Sequence, residues 1–416
     1  MNQNAYFVQQ IKDSMMPSTG CTEPVAIALN TATARKHASG SFVRLTLTLD
    51  PYLYKNAMGV GIPGSDERGV ALCAALGVTA GNADAKMNVL GEVSEEALLK
   101  AKELQADVKV EVLQSGSTLF IQTELYTDID AIRVITLGEH TNIVDISHAP
   151  FPQFEYKDEP LGEAEIQQYS LKDFIDFADT VAVEELVFLE EGLKMNRTIA
   201  AEGKNFGLGA QLESLLEQGL LADSPATAAK RVTAAGSFAR MSGVSLPVMT
   251  ATGSGNQGIT LFLTIDAVAQ KLNIAHEREL RAIALAALVN IFGKSYIGAL
   301  SAICACGVAS GLGASIGICY LLGGGEKQML GAARNILGAI SGMVCDGAKE
   351  GCAHKVELSA GLAVDAAMLA MAGRDVSEQD GILAEDLGGL FSNLGYLVNT
   401  GMAKTNEAIV EIMTRK

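Results

Sequence analysis

Two periodicities divide the chain. Between residues 41 and 146, apolar and polar positions alternate in short runs, at 41–50 (SFVRLTLTLD), 107–113, 118–126, 131–137 and 142–146. Alternation of this length predicts half-buried β-strands. Two stretches of helical period, 66–76 and 94–105, fall between the first strand and the others. The second opens on Ser94-Glu95-Glu96, a capping residue followed by acids in the first turn. The order strand, helix, helix, several strands predicts a small α/β-type domain over 39–150. Residues 151–170 belong to an acidic segment, starting at Ala149, that holds three prolines, and they predict a linker. Beyond it strands nearly vanish. The stretches 171–196, 211–218, 225–241, 261–272, 275–292, 326–348, 359–373 and 399–414 carry helical period. The fold class expected is therefore α+β, with a large all-helical, Gly/Ala-rich domain over 171–416. Residues 1–38 read as a helix interrupted at Pro17–Pro24 that packs on the helical domain.

Composition sharpens this outline. Of 416 residues, 43 are glycine, 9 are proline and none is tryptophan, so the helices must approach closely through small side chains. An apolar share of 49% against 19% charged residues excludes disorder. With 31 basic and 48 acidic residues the net charge is −17, which leaves no basic face for nucleic acid. The run 295–325 carries no charge and has the length of a membrane span. It is rich in glycine and lacks basic flanks and an aromatic belt, so a buried helical hairpin is expected and a membrane partner is not. The N-terminus MNQNAYFVQQIKDSMM has no basic-then-apolar leader pattern, which predicts a cytoplasmic protein. Its seven cysteines then read as thiols or metal ligands, not disulfides.

Candidate chemistry concentrates in a few motifs. Cys345-Asp-Gly-Ala-Lys-Glu-Gly-Cys352 sets two thiols seven apart where the chain leaves helix, and Cys304 and Cys306 lie some forty residues upstream. Thiolates ligate iron–sulfur clusters and structural zinc, but no C-x2-C spacing occurs; small buried core cysteines would look the same. In Pro17-Ser-Thr-Gly-Cys-Thr-Glu-Pro24, two prolines fence a polar turn at the start of a helix. A helix N-terminus lowers a thiol's pKa and offers free N–H groups, so Cys21 is a candidate reactive thiol, with Ser18, Thr19 and Glu23 as hydrogen-bonding partners. Gly253-Ser-Gly-Asn-Gln-Gly258 formally matches a dinucleotide fingerprint but has no βαβ unit around it. A small carboxylate is the better guest, with Ser254, Asn256 and Gln257 supplying side chains. The five histidines are scattered without zinc-hydrolase spacing.

Taken together, PSTGCTEP at 17–24, GIPGSDERG at 61–69, GSGNQGI at 253–259, SAICACGVASG at 301–311 and CDGAKEGCAHK at 345–355 resemble the L-cysteine desulfidase family, relatives of the iron–sulfur L-serine dehydratases. The resemblance spans nearly the whole chain. It implies a [4Fe–4S] cluster held by three cysteines: Cys345, Cys352 and one of Cys304 and Cys306, with Cys306 slightly preferred. It further implies Cys21 as catalytic base, and leaves Cys73 and Cys319 to the core. Three protein ligands leave one iron open as a Lewis acid for a leaving sulfur. The implied reaction is pyridoxal-independent β-elimination of L-cysteine to sulfide, ammonia and pyruvate. Substrate anchors would come from Ser18, Thr19, Glu23, Ser254, Asn256, Gln257 and Lys349; Lys349 and Lys355 lie beside the cluster ligands, where either could steer the carboxylate or simply be solvated. Three other readings stay open: an L-serine dehydratase with the same cluster, a helical scaffold or membrane protein with structural thiols, and a zinc module. A homodimer is plausible from the long apolar helical faces.

Overall fold

The computed structural model describes residues 2–62, 67–113, 119–157 and 162–415. Seven strands are present among them: β1 (Pro17–Thr19), β2 (Phe42–Leu49), β3 (Val108–Val112), β4 (Phe120–Thr127), β5 (Ala131–Leu137), β6 (Ile143–His148) and β7 (Pro247–Met249). The five expected strands form one sheet in the order β3-β2-β4-β5-β6, antiparallel except for the β2/β3 pair. That parallel pair requires a crossover, supplied by the helices Pro51–Ala57, Val70–Thr79 and Glu95–Leu104. Alternation does the sorting: Leu45, Leu47 and Leu49 of β2 and Ile121 and Leu125 of β4 are buried in one core with the helix Thr22–His37. On the opposite pleat, Phe120 and Tyr126 meet Phe154 and Phe151, so the expected linker begins as a segment pinned to the sheet. The predicted starts of the 66–76 helix and the 118–126 strand lie outside the described residues.

The rest is helical, as the composition predicts, and the class is α+β. Several boundaries differ from the pattern. The stretch 171–196 is two helices, Leu171–Thr180 and Leu189–Gly203, joined by a 3₁₀ turn. The stretch 261–272 starts earlier, as Gly255–Lys271, so the glycine motif forms its first turn. Residues 326–348 split into the helix Glu326–Ile340 and a loop carrying Cys345. A helix at Leu387–Tyr396, capped by Asp386, carries no prediction at all. The charge-free run is not a hairpin by itself. It holds a cysteine loop and the helix Val308–Leu321, whose fourteen residues are all buried, and the hairpin partner is the preceding helix His276–Ile297. Among the described residues that one helix is long and apolar enough to cross a membrane, and 78% of its apolar window is buried.

The N-terminal segment is shared. Gln3–Ser14 contributes Phe7, Val8 and Ile11 to the helical core, whereas Thr22–His37 belongs to the core under the sheet. Between them β1 pairs antiparallel with β7, so the Pro17 turn joins the two cores. Asn30 fixes the second helix to the sheet by donating to Thr136 Oγ1 at 2.9 Å. Cys21 therefore stands at the seam.

Candidate active site

Three segments bring thiols to one cavity, each for a local reason. Ile303 and Val344 form an isolated antiparallel bridge, flanked by Cys304 N–H donating to the Met343 carbonyl and Cys345 N–H donating to the Ala302 carbonyl, both at 2.8 Å. The bridge sets Cys304 beside Cys345. Gly347 then turns the chain at φ +91°, where a side chain would also run into the Lys55 carbonyl. Helix resumes at Cys352, the first residue of Cys352–Met371. Buried Lys55 fastens the loops, its Nζ donating to the carbonyls of Cys345 (2.8 Å) and Ser301 (3.4 Å) and to Asn406 Oδ1 (2.7 Å).

Cys304, Cys306, Cys345 and Cys352 line this cavity together with Cys21. Cys304 lies within electrostatic reach of Cys345 and Cys352 as well as Cys306. Cys306 turns instead toward Ser254, Sγ to Oγ 3.5 Å, and toward Lys294. Cys304 and Cys306 also meet each other by a hydrogen bond, and both stand on the cavity wall with Cys345 and Cys352. A hydrogen bond with Cys306 and burial push the Cys304 thiol up; burial pushes Cys345 up and Cys352 to about 12. Bound iron would displace those protons, as thiolate ligation requires.

In the same cavity, Cys21 caps the helix Thr22–His37 with its backbone only, which leaves its side chain out of the cap. Its Sγ donates to Glu23 Oε2 at 2.9 Å, and the same oxygen accepts from Thr22 Oγ1 at 3.0 Å. Asn56 Nδ2 donates to Glu23 Oε1 at 3.0 Å, while Asn56 Oδ1 lies 3.8 Å from Cys345 Sγ. The expected lowering of the Cys21 pKa is overturned. Burial first, then the Glu23 carboxylate, push the thiol well above its usual range, and the helix start and Arg240 do not compensate. For Glu23, burial pushes upward, but His140, the Cys21 hydrogen bond and Arg240 outweigh it and the net direction is down. The resting pair is a thiol and a carboxylate.

Of the residues expected to anchor substrate, Glu23, Ser254, Asn256 and Gln257 line the cavity. Gln257 is held by Thr252 Oγ1 (2.8 Å) and Asn290 Nδ2 (3.2 Å). Ser18 and Thr19 belong to β1 and do not line it, and Ser18 Oγ is buried without a partner among the described residues. Lys349 is corrected. Its ammonium pairs with Asp346 at 2.5 Å, and Lys355 also binds Asp346, so both lysines turn to that carboxylate and line no part of the cavity. Cys73 and Cys319 are core residues. The pattern gave no sign of Asn56 or Arg240. Lys294, in a small-residue helix, is buried against the Ala299 carbonyl at 3.0 Å, and burial lowers it to about 8. Arg240 is 2% exposed, and among the described residues only its Nη1 has a partner, Asn256 Oδ1 at 3.3 Å. A second cavity of about 270 Å³ adjoins, sharing Glu23, Ser254, Ala299 and Leu300 and lined by His140 and Thr252.

Among the described residues no three His, Cys, Asp or Glu side chains close on a single metal-ion position. The cavity's donor set is four thiols without a histidine, spread over its wall. That suits an iron–sulfur cluster and not a zinc ion held by mixed ligands. The model of the serine dehydratase alpha chain matches residues 84–411, a span that takes in the third crossover helix, strands β3 to β6 and all the cluster-wall thiols. The chain belongs to the serine dehydratase alpha-chain family. Full-length relatives include UPF0597 proteins of Clostridium tetani, 37% identical over 99% of both chains, and of Caldanaerobacter subterraneus, 36% identical over 98% of this chain and 97% of the relative. A UPF0597 protein of Desulfatibacillum aliphaticivorans is 37% identical over 96% of each. Serine dehydratase alpha chains are of the iron–sulfur type, and the reaction class they bring is a dehydratase-like lyase.

Proposed function

We propose that the chain is an iron–sulfur β-eliminating lyase that converts L-cysteine to sulfide, ammonia and pyruvate without pyridoxal phosphate. The observation that carries the reading is the convergence of Cys21 and the four cluster-wall thiols on one cavity. Cys345, Cys352 and one of Cys304 and Cys306 would hold a [4Fe–4S] cluster. When bound, such a cluster with one iron free of protein ligands supplies a Lewis acid for the leaving group.

The chain's own residues do the proton chemistry. The Cys21 proton passes to Glu23 Oε2 along the 2.9 Å hydrogen bond. The thiolate so formed takes the proton from Cα. Burial, which keeps the resting thiol protonated, also makes its thiolate a stronger base, matched to a weakly acidic C–H bond. Asn56 holds the other Glu23 oxygen and keeps the carboxylate turned to Cys21. As the Cα–H pair forms the double bond, the Cβ–S pair leaves with sulfur, which takes up the proton held on Glu23, so that Cys21 ends as thiol and Glu23 as carboxylate. Aminoacrylate tautomerises to the imine, and water releases ammonia and pyruvate. The sum is L-cysteine plus water giving hydrogen sulfide, ammonia and pyruvate.

L-Serine dehydration is the second reading, and membership of a dehydratase-like lyase family is compatible with both. The experiment is a direct competition under anaerobic conditions: sulfide release from L-cysteine against pyruvate release from L-serine on one reconstituted sample. A kcat/KM for L-cysteine at least tenfold above that for L-serine supports the desulfidase. The reverse ratio moves the chain to the dehydratase, and turnover of neither amino acid removes both.

A further inference from the structure

Arg240 lies in the last turn of the helix Pro225–Met241 at the cavity wall and, among the described residues, is the largest fully buried side chain. Its Nε and Nη2 are buried and find no acceptor among the described residues. A guanidinium stays charged in any protein environment, so it cannot escape burial by losing a proton. Burying an unpaired charge is costly, and this chain elsewhere avoids it. Buried Arg133 pairs with Asp145, and buried Arg334 with Asp375. No described carboxylate pairs with Arg240, in a chain with 48 acidic residues. Room has nevertheless been made for it: a side chain at Gly255 would overlap the guanidinium.

The two bare nitrogens form one edge of the guanidinium. The protein shows elsewhere what that edge takes. In Arg197, Nε donates to Asp266 Oδ2 at 2.9 Å and Nη2 to Asp266 Oδ1 at 2.7 Å, a bidentate carboxylate on the equivalent edge. Around Arg240 the cavity supplies Cys21, Glu23 and Asn256.

We infer that the Arg240 guanidinium, which belongs to the cavity wall and keeps two donors without a protein partner among the described residues, is the binding site for the α-carboxylate of the substrate, and of the 2-oxo acid product. The inference rests on the reading of the cavity as an amino-acid lyase site. It adds the specificity element: a small α-amino acid enters with its carboxylate as the missing counter-ion of Arg240, and an amine without a carboxylate leaves that charge bare. With the carboxylate fixed on one wall, Cα is presented to Cys21 and the β-substituent to the thiol wall.

The test uses two variants and a probe that needs no turnover. Pyruvate at millimolar concentration should raise the melting temperature of the metal-free wild type and leave Arg240→Met unmoved. The melting curve of ligand-free Arg240→Met shows that the variant folds, and the readout is the pyruvate shift measured from that variant's own baseline. In the reconstituted enzyme, Arg240→Lys keeps charge but loses the two-donor edge, and kcat/KM for the amino acid should fall about 100-fold, mainly through KM. Cysteamine, which lacks the carboxylate, should be a poor ligand of the wild type and lose that handicap in Arg240→Met. A pyruvate shift that survives in Arg240→Met, or an unchanged KM in Arg240→Lys, overturns the inference. The pyruvate shift is independent of the leaving group, so the assignment stands or falls separately from the choice between L-cysteine and L-serine, and from turnover itself.

Discussion

Arg197 and Arg240 meet opposite ends of the same helical hairpin, Gly255–Lys271 and His276–Ile297. At the closed end, Arg197 spans Asp266 and Glu279, and His276 completes the set by contacting Glu279 at 2.9 Å and Glu190 at 3.2 Å. At the open end, Arg240 has one neutral partner and a bare edge beside Cys21 and Glu23. Similar residue types serve two ends. Where charges are paired, the hairpin is held together. Where pairing is withheld, an acidic ligand has somewhere to go. Folding alone would have filled both edges, since an unsatisfied buried donor costs about 1–3 kcal/mol and more when charged. The same contrast runs through the thiols: Cys73 and Cys319 sit in apolar cores against carbonyl oxygens, while the five others share one cavity.

The comparison breaks most easily at Cys21. Cys21→Ala should lower kcat by about 10²–10⁴-fold, the usual worth of a positioned base, with iron content and melting temperature kept. Unchanged turnover would remove Cys21 from the chemistry. Asn56→Ala frees one oxygen of Glu23 and should cost about 10–100-fold in kcat, in line with the loss of a supporting hydrogen bond; an effect on stability alone would make Asn56 a packing residue. At the closed end the readout reverses. Asp266→Asn should destabilise the fold by about 1–3 kcal/mol, seen in urea unfolding, while kcat per folded molecule stays put. The smallest effect is at His276. Its hydrogen bond to Glu279, opposed by burial and helped by Glu190, raises its pKa. The stabilisation is therefore complete below the unfolded value of about 6.5 and is lost as pH rises through the raised folded value. The ring is half exposed, so less than about 1 kcal/mol is at stake. His276→Gln should melt lower than wild type at pH 6 and match it at pH 9; an equal gap at both would place the effect in packing.

Much of this was legible in the residues, and the failures have physical causes. The five strands show because one face of the sheet is buried and the other is less so. Cys21 shows because Pro17 and Pro24 mark the turn that carries it, and Cys345 and Cys352 because Gly347 and Gly351 interrupt helix. Residues 171–196 hid their break because Val181, Leu186 and Leu189 stay buried across it, so the apolar period never lapses. Lys349 misled because proximity in sequence to Cys345 says nothing of direction, and Asp346 claims it. Arg240 was invisible for the reason that makes it informative: it sits in an alanine-rich helix with no acidic residue at helical spacing. Whether a charge is paired is a fact of the fold. The helix-start argument for Cys21 failed through burial, a quantity that local sequence does not carry.

The most direct test of the central claim, that this cavity is the centre of an iron–sulfur lyase, is iron and acid-labile sulfide measured per chain after anaerobic reconstitution, in wild type, Cys345→Ala and Cys73→Ala, with pyruvate formation followed on the same samples. About four irons and four sulfides in wild type and Cys73→Ala, lost with pyruvate formation in Cys345→Ala, is the result expected. Wild-type protein that folds but takes up no iron, or Cys345→Ala that retains its iron and its turnover, would contradict it.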